Sequence, residues 1–213
     1  MSGTINREQL NNKTTSGSGD SAEEIFVHPA AIVESDQIAP GTRVWAFAHV
    51  LPGVVIGRNC NIGDHSFIET GAIVGDNVTI KNQVCVWEGV VIEDDVFVGP
   101  NVSFTNDRYP RSPRMAHARE RYSDKANWLA HTVVEQGSSI GAGATVLAGI
   151  TLGRYCLIAA GSVVTEDVEP HALMIGAPAR KTGYVCCCGK PLGSKDTTSP
   201  CSTCGFKLGD CDI

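Results

Sequence analysis

Two stretches of this chain carry side chains able to do chemistry. Near the C-terminus, Cys186-Cys187-Cys188-Gly189 is followed by Cys201-Ser202-Thr203-Cys204-Gly205. A Cys-x-Cys-Gly and a Cys-x-x-Cys-Gly each set two thiolates on one tight turn, and four thiolates satisfy tetrahedral Zn2+. Cys186, Cys188, Cys201 and Cys204 are the expected ligands, with Cys187 an alternative and a metal-free, thiol-rich tail the plain reading. So short a segment has no room for a core, so a structural metal would supply its folding free energy. The second stretch, residues 105–133, sets Arg108, Arg111, Arg114, Arg119, Arg121 and Lys125 against Asp107, Glu120 and Asp124. A basic excursion from an acidic chain reads either as a lid carrying cations to an anionic substrate or as a solvated flap. His28, His49, His65, His117, His131 and His171 complete the groups that titrate near neutral pH.

The elements that hold these stretches are written in a repeat. An aliphatic or aromatic residue falls on every sixth position: Ile32, Ile38, Val44, Val50, Ile56, Ile62, Ile68, Val74, Ile80, Val86, Ile92, Val98 and Phe104. Four residues after nearly every one comes a small or β-branched residue, such as Thr42, Ala48, Val54, Cys60 and Ser66; Asp36 is the polar misfit of the series. After residues 105–133 the register resumes at Val134, Ile140, Val146, Leu152, Ile158 and Val164. A helix repeats at 3.6 and a plain strand at 2, so neither accounts for a period of six, which a hexapeptide β-helix does. Each hexad is expected to form one short strand and one corner, three of them closing a turn of about eighteen residues. The nineteen or so hexads then stack as about six coils at the strand spacing of about 4.8 Å. Gly57-Arg58-Asn59 and Gly75-Asp76-Asn77 read as corners needing positive φ or Asx turns. Gly141, Gly143, Gly149, Gly153 and Gly161 leave one stretch of surface nearly bare, where a flat ligand approaches the backbone closely.

The rest of the chain is organised around this prism. Residues 1–24 are polar and read as a disordered tail, 25–180 as the prism with its protruding loop, and 181–213 as a separate Cys-rich, zinc-ribbon-like tail. A net charge of −6 argues against nucleic acid as the main partner. There is no apolar run long enough to span a membrane and no signal-peptide core. Nine cysteines, an odd number clustered mostly near the C-terminus, suggest a reducing, cytoplasmic compartment with a metal site rather than a disulfide framework.

Residues 28–180 resemble the left-handed β-helix acyltransferases of the hexapeptide-repeat superfamily. Three motifs narrow the likeness: Val44-Trp45-Ala46-Phe47-Ala48-His49-Val50-Leu51-Pro52-Gly53, the run from Glu93 through Val98-Gly99-Pro100-Asn101 to Phe104-Thr105-Asn106-Asp107, and Tyr109-Pro110-Arg111-Ser112. They are similar to N-acetyltransferases acting on the 3-amino group of nucleotide-linked (dTDP or UDP) sugars that feed surface polysaccharide or glycan synthesis. The resemblance implies a left-handed helix and a homotrimer, with acetyl-CoA in the groove between two prisms and the sugar nucleotide entering from the other side. It places Asn106 beside the reacting amine, with no dedicated base; His49, inside the first motif, is the rival catalytic candidate. Glu88 would meet the amine or a sugar hydroxyl, Trp87 a ligand ring or a neighbouring subunit, and Arg111 a phosphate or carboxylate. Gly141, Ala142 and Gly143, with Ala160 and Gly161, would face the CoA arm, and Arg180 and Lys181 its phosphates. The Cys-rich tail is not part of the better-known members. Two alternatives stay open: another small acyl acceptor, and a γ-carbonic-anhydrase-like β-helix, whose closely spaced histidine pair this chain lacks.

Overall fold

The computed structural model describes residues 24–192 and 199–208, so the polar tail expected over 1–24 lies outside the described residues except for Glu24. Among the described residues the structure is all-β apart from a helical turn (Arg119–Tyr122) and a 3-10 turn (Lys125–Asn127), both in the loop that leaves the prism. Its short strands sort into three parallel sheets, here faces A, B and C, visited in rotation. Arg43–Val44 lies on A, His49–Val50 on B and Val55–Ile56 on C, and the cycle then repeats from Asn61–Ile62. This is a parallel β-helix. Partners are eighteen residues apart, as in Val44↔Ile62 and Ile62↔Ile80. Amides therefore donate to the neighbouring coil, such as His49 N to Ser66 O at 2.8 Å.

Both sequence columns face inward. From Val44 to Val164 the aliphatic series is at most 2 % exposed, and the small partners Ala48 to Ser162 are equally sealed. Each buried Val or Ile contributes about 1.5–3 kcal/mol. Hydroxyls in the small column turn to carbonyls across the coil: Thr42 donates to Gly57 O at 2.8 Å and Ser138 to Gly153 O at 2.9 Å. Burial pushes the Cys60 and Cys156 thiols up to about 11 and about 12, so neither is a nucleophile at neutral pH.

The ends of the column depart from the repeat. Phe26 pairs with Arg43 and Ile32 with His49, seventeen residues apart. That missing residue slips the first rung, so Val33 pairs with Val50 and Ile32 turns outward at 56 % exposure instead of opening the core series. At the other end Ala172–Gly176 joins face A in parallel, and Ala179–Val185 and Pro191–Leu192 add to it antiparallel. The strand through Ala179–Val185 thus crosses the boundary expected at residue 180, and the Cys-rich tail begins as part of face A.

The corners carry one left-handed residue per hexad. On the A–B edge these are Phe47, His65, Gln83, Asn101, Gly143 and Gly161; on the C–A edge they include Asn59, Asn77 and Asp95. On the B–C edge Gly53, Gly71, Gly89 and Gly149 occupy the position. Within the expected corners Gly57-Arg58-Asn59 and Gly75-Asp76-Asn77 the positive φ falls on Asn59 and Asn77 rather than on the glycines. Gly57 is needed for another reason: a Cβ there would sit 2.5 Å from the Gly75 backbone one coil on.

Candidate active site

The loop of residues 105–131 leaves the prism at the B–C edge, between Ser103–Phe104 on face B and Thr132–Val134 on face C. It is tied at both ends: Ala130 N donates to Asn106 O at 2.9 Å and Thr132 N to Gly89 O at 3.0 Å. Inside the loop Asp107 is the hub. It accepts from Arg121 through both oxygens (2.5 and 3.1 Å), from the Tyr122 hydroxyl at 2.6 Å and from the Tyr109 amide at 2.9 Å. Burial works to raise the Asp107 pKa, but these donors together outweigh it and hold the carboxyl below its ordinary value.

Asn106 and Glu88 stand eighteen residues apart and therefore one above the other on this edge. The Asn106 Nδ2 donates to the Glu88 carbonyl at 3.3 Å, and among the described residues its Oδ1 accepts no hydrogen bond. The Glu88 amide donates to the Glu69 carboxylate at 2.8 Å, and Gly71 leaves room for the Glu88 side chain to lie across the corner. Lys125, from the loop, places its Nζ 2.7 and 2.8 Å from the two Glu88 carboxylate oxygens. Trp87 packs on Phe67 at 5.6 Å and donates from Nε1 to Phe104 O at 2.9 Å, so its ring is fixed to its own prism. Arg111 donates to the carbonyl of Pro110 at 2.8 Å and lies exposed at the loop surface.

His49 is elsewhere. It sits on face B, pairing through Nε2 with Glu34 at 2.9 Å and meeting Phe67 edge-on at 5.7 Å. The rungs His49, Phe67, Cys85 and Ser103 follow one another, so three coils, about 14 Å, separate it from the level of Asn106. Within one chain His49 and Asn106 do not share a reacting nitrogen. His131 is the histidine at this edge: a Cβ on Gly89 would lie 3.5 Å from its Nδ1. The repeat itself held that signal, since six residues back from Gly137 is the corner position of the B–C edge. The Lys125–Glu88 and Arg121–Asp107 pairs had none, because the loop follows no period.

A second group gathers on the A–B edge. Gly141, Ala142 and Gly143 stack on Ala160 and Gly161, and the Gly176 amide reaches the Ser162 hydroxyl at 3.1 Å, bringing the Ala177-Pro178 turn onto the same edge. Gly143 and Gly161 open onto free space, whereas a Cβ on Gly141 would lie 2.5 Å from the Ala160 amide. The amides of Gly143 and Gly161 are already donated to the carbonyls of Pro100 and Ala142, so these corners offer open surface rather than free donors. Arg180 pairs with Glu166 at 3.4 Å, and Lys181 with Glu169 and the Tyr184 ring. The width of face B separates this edge from Asn106.

The four cysteines do converge. The ligand atoms of Cys186, Cys188, Cys201 and Cys204 lie within 4.8 Å of one another, with Sγ separations of 3.4 Å (Cys186–Cys204) and 3.8 Å (Cys188–Cys201). Four thiolates about 2.3 Å from a tetrahedral Zn2+ stand about 3.8 Å apart, so the donor set and spacing fit that ion. The Thr203 and Cys204 amides point at the Cys201 sulfur and draw its pKa down to about 6. Cys187 lies outside the four. The Cys186–Gly189 turn faces Asp95, Gly137 and Tyr155 on the C–A edge across a cavity of about 350 Å³. It is therefore on a different edge from Asn106.

The three-faced column of hexads is a hexapeptide-repeat β-helix, and the six-repeat bacterial transferase hexapeptide model matches residues 37–70 and 131–166. Over 192 residues, 89 % of this chain and 94 % of the relative, it is 48 % identical to the dTDP-3-amino-3,6-dideoxy-α-D-galactopyranose 3-N-acetyltransferase of Aneurinibacillus thermoaerophilus. The chain belongs to this family of left-handed β-helix nucleotide-sugar 3-N-acetyltransferases. A solved hexapeptide-repeat acetyltransferase from Vibrio cholerae, complexed with acetyl coenzyme A, is 25 % identical with a TM-score of 0.52, covering 62 % of this chain and 70 % of that one. The acetyltransferase domain of PglB from Neisseria gonorrhoeae shares the fold at 18 % identity and a TM-score of 0.51, covering 74 % of this chain and 57 % of that one. Among the described residues no helix is long and apolar enough to cross a membrane.

Proposed function

We propose that this protein transfers the acetyl group of acetyl-CoA to the 3-amino group of a nucleotide-linked 3-amino-deoxy sugar, dTDP- or UDP-linked, for surface polysaccharide or glycan synthesis. The observation that carries the reading is the 48 % identity to a dTDP-amino-sugar 3-N-acetyltransferase across nearly the whole of both chains. The loop-covered B–C edge supplies matching chemistry. Glu88 offers a carboxylate to the amine, and Asn106 Oδ1 accepts an N–H so that the nitrogen lone pair faces the thioester. The nitrogen attacks the acetyl carbon, the C–N bond forms as the C–S bond breaks, and the amine's proton leaves to solvent or substrate. A thiol leaving group, whose pKa is about 8.5, needs no strong acid to depart.

The A–B edge, with Gly141, Ala142, Gly143, Ala160, Gly161 and the turn before Arg180 and Lys181, is assigned to acetyl-CoA. That assignment favours a homotrimer: one chain carries the acceptor residues and the donor residues on different edges, and packing prisms side by side brings an A–B edge of one against a B–C edge of another. The Cys186, Cys188, Cys201 and Cys204 site is assigned a structural Zn2+, since it lies on a different edge from Asn106.

The test is release of CoA thiol, read with a disulfide reagent, from acetyl-CoA and dTDP-3-amino-3,6-dideoxygalactose, alongside a UDP-linked 3-amino sugar, serine and galactose. Turnover with a 3-amino sugar nucleotide and none with serine or galactose supports the assignment. Turnover with serine or galactose alone overturns it.

A further inference from the structure

Among the cations of the loop, Lys125 is the one placed on a residue of the proposed acceptor site. Its Nζ stands 2.7 and 2.8 Å from the two oxygens of Glu88, one coil below Asn106. The Lys125 side chain is 63 % exposed and that of Glu88 26 %, so the pair is reached from solvent and is exchangeable. Lys125 also begins the 3-10 turn Lys125–Asn127, which Asp124 caps through the Ala126 amide at 2.9 Å, and its carbonyl accepts from the Leu129 amide at 2.8 Å. The folded turn thus fixes the backbone from which the exposed Lys125 side chain reaches Glu88.

A primary ammonium on a carboxylate is the same contact a 3-ammonium sugar would make with Glu88. Resting on the acceptor reading above, we infer that Lys125 is an internal stand-in for the substrate's ammonium, exchanging with it on Glu88 and so restraining the protein's preference for amine substrate over acetamide product. The incoming amine displaces Lys125. The bound ammonium gives up one proton to solvent to free its lone pair, and acetylation, with departure of the CoA thiolate and a second proton, then leaves a neutral amide bearing one N–H, which no longer competes for the carboxylate. Lys125 returns to Glu88 and the product loses its anchor. Exposed ion pairs are worth up to about 1 kcal/mol, so removing the competitor should tighten amine binding by about two- to fivefold.

The experiment measures calorimetric dissociation constants of dTDP-3-amino-3,6-dideoxygalactose and of its 3-N-acetyl product for the full-length wild type, Lys125→Met, Lys125→Arg and Glu88→Gln. The expected result is tighter amine binding by Lys125→Met with unchanged product binding, so that the preference for substrate widens by that factor. Lys125→Arg should keep the wild-type ratio, and Glu88→Gln should narrow it. Weaker amine binding by Lys125→Met, or an equal shift for both ligands, overturns the inference while leaving the acceptor assignment standing. Wild-type protein that binds neither ligand, yet acetylates some other acceptor, sinks the acceptor assignment and this inference together.

Discussion

Replacing Asn106 with Ala tests the site most directly, with His49→Ala as its counterpart. Asn106 spends its Nδ2 on the Glu88 carbonyl at 3.3 Å, which fixes the carboxamide and leaves Oδ1 for an incoming N–H. On the proposed function, truncation removes one oriented acceptor for an amine that gains positive charge as it attacks. Hydrogen bonds to charged groups are worth about 1.5–3 kcal/mol, so kcat should fall by roughly 10- to 150-fold. His49 stands three coils lower, about 14 Å from this level, with Glu34 as its partner. Its removal should leave kcat within about twofold of wild type, because a change of 0.4 kcal/mol or so is the most such a distance transmits. The assay is CoA release at saturating concentrations of both substrates, with thermal melting run in parallel to verify that each variant is folded. If His49→Ala costs more turnover than Asn106→Ala, the placement of the chemistry at the B–C edge is wrong.

Other outcomes follow from the same geometry. Gly141→Ala drives a Cβ to 2.5 Å from the Ala160 amide and should cost about 1–3 kcal/mol, a fall in Tm of roughly 2–10 °C. Gly143→Asn, with nothing within 4 Å of its Cβ and Asn101 in the same conformation one coil below, should cost under about 1 kcal/mol; equal melting temperatures would contradict the two roles. Because the folded Asp107 carboxyl titrates below its unfolded value, its network contributes fully above the unfolded pKa and is lost as pH falls through the folded one. Amide protection factors in residues 107–122, corrected for the intrinsic pH dependence of exchange, should therefore fall as the solution is acidified through that range, and Asp107→Asn should show the lower protection already at neutral pH. Metal analysis should find one zinc per chain, and a chelator should release the Cys186–Gly189 turn while the far-ultraviolet signature of the prism persists. Protein purified without zinc would remove that assignment.

The prism was legible because its side chains obey one rule. A period of six admits a single architecture, and the residues at Val44 to Val164 occupy the interior it requires. Where the rule lapses, reading lapses with it: the first coil is one residue short, so Ile32 faces out although it keeps the spacing. The corners exposed a subtler limit. Glycine in a turn answers either to backbone dihedral or to proximity, and sequence does not say which; Gly57 answers to proximity. The Asn106–Glu88 stack could be found by counting eighteen residues, whereas Lys125 and Arg121 reach their partners through an aperiodic loop. The cysteines converge as their spacing suggests, although nothing in the spacing told that the C–A edge would be their neighbour.

Residues 105–131 leave the column and return without shifting a rung: Ser103 pairs with Thr145 above the gap as Cys85 pairs with Ser103 below it. The scaffold is thereby indifferent to what hangs from that edge. A loop of another length or charge would fit there while the glycine-lined A–B edge stays as it is. Changing what this edge presents would then call for a new insert, not for a rebuilt column.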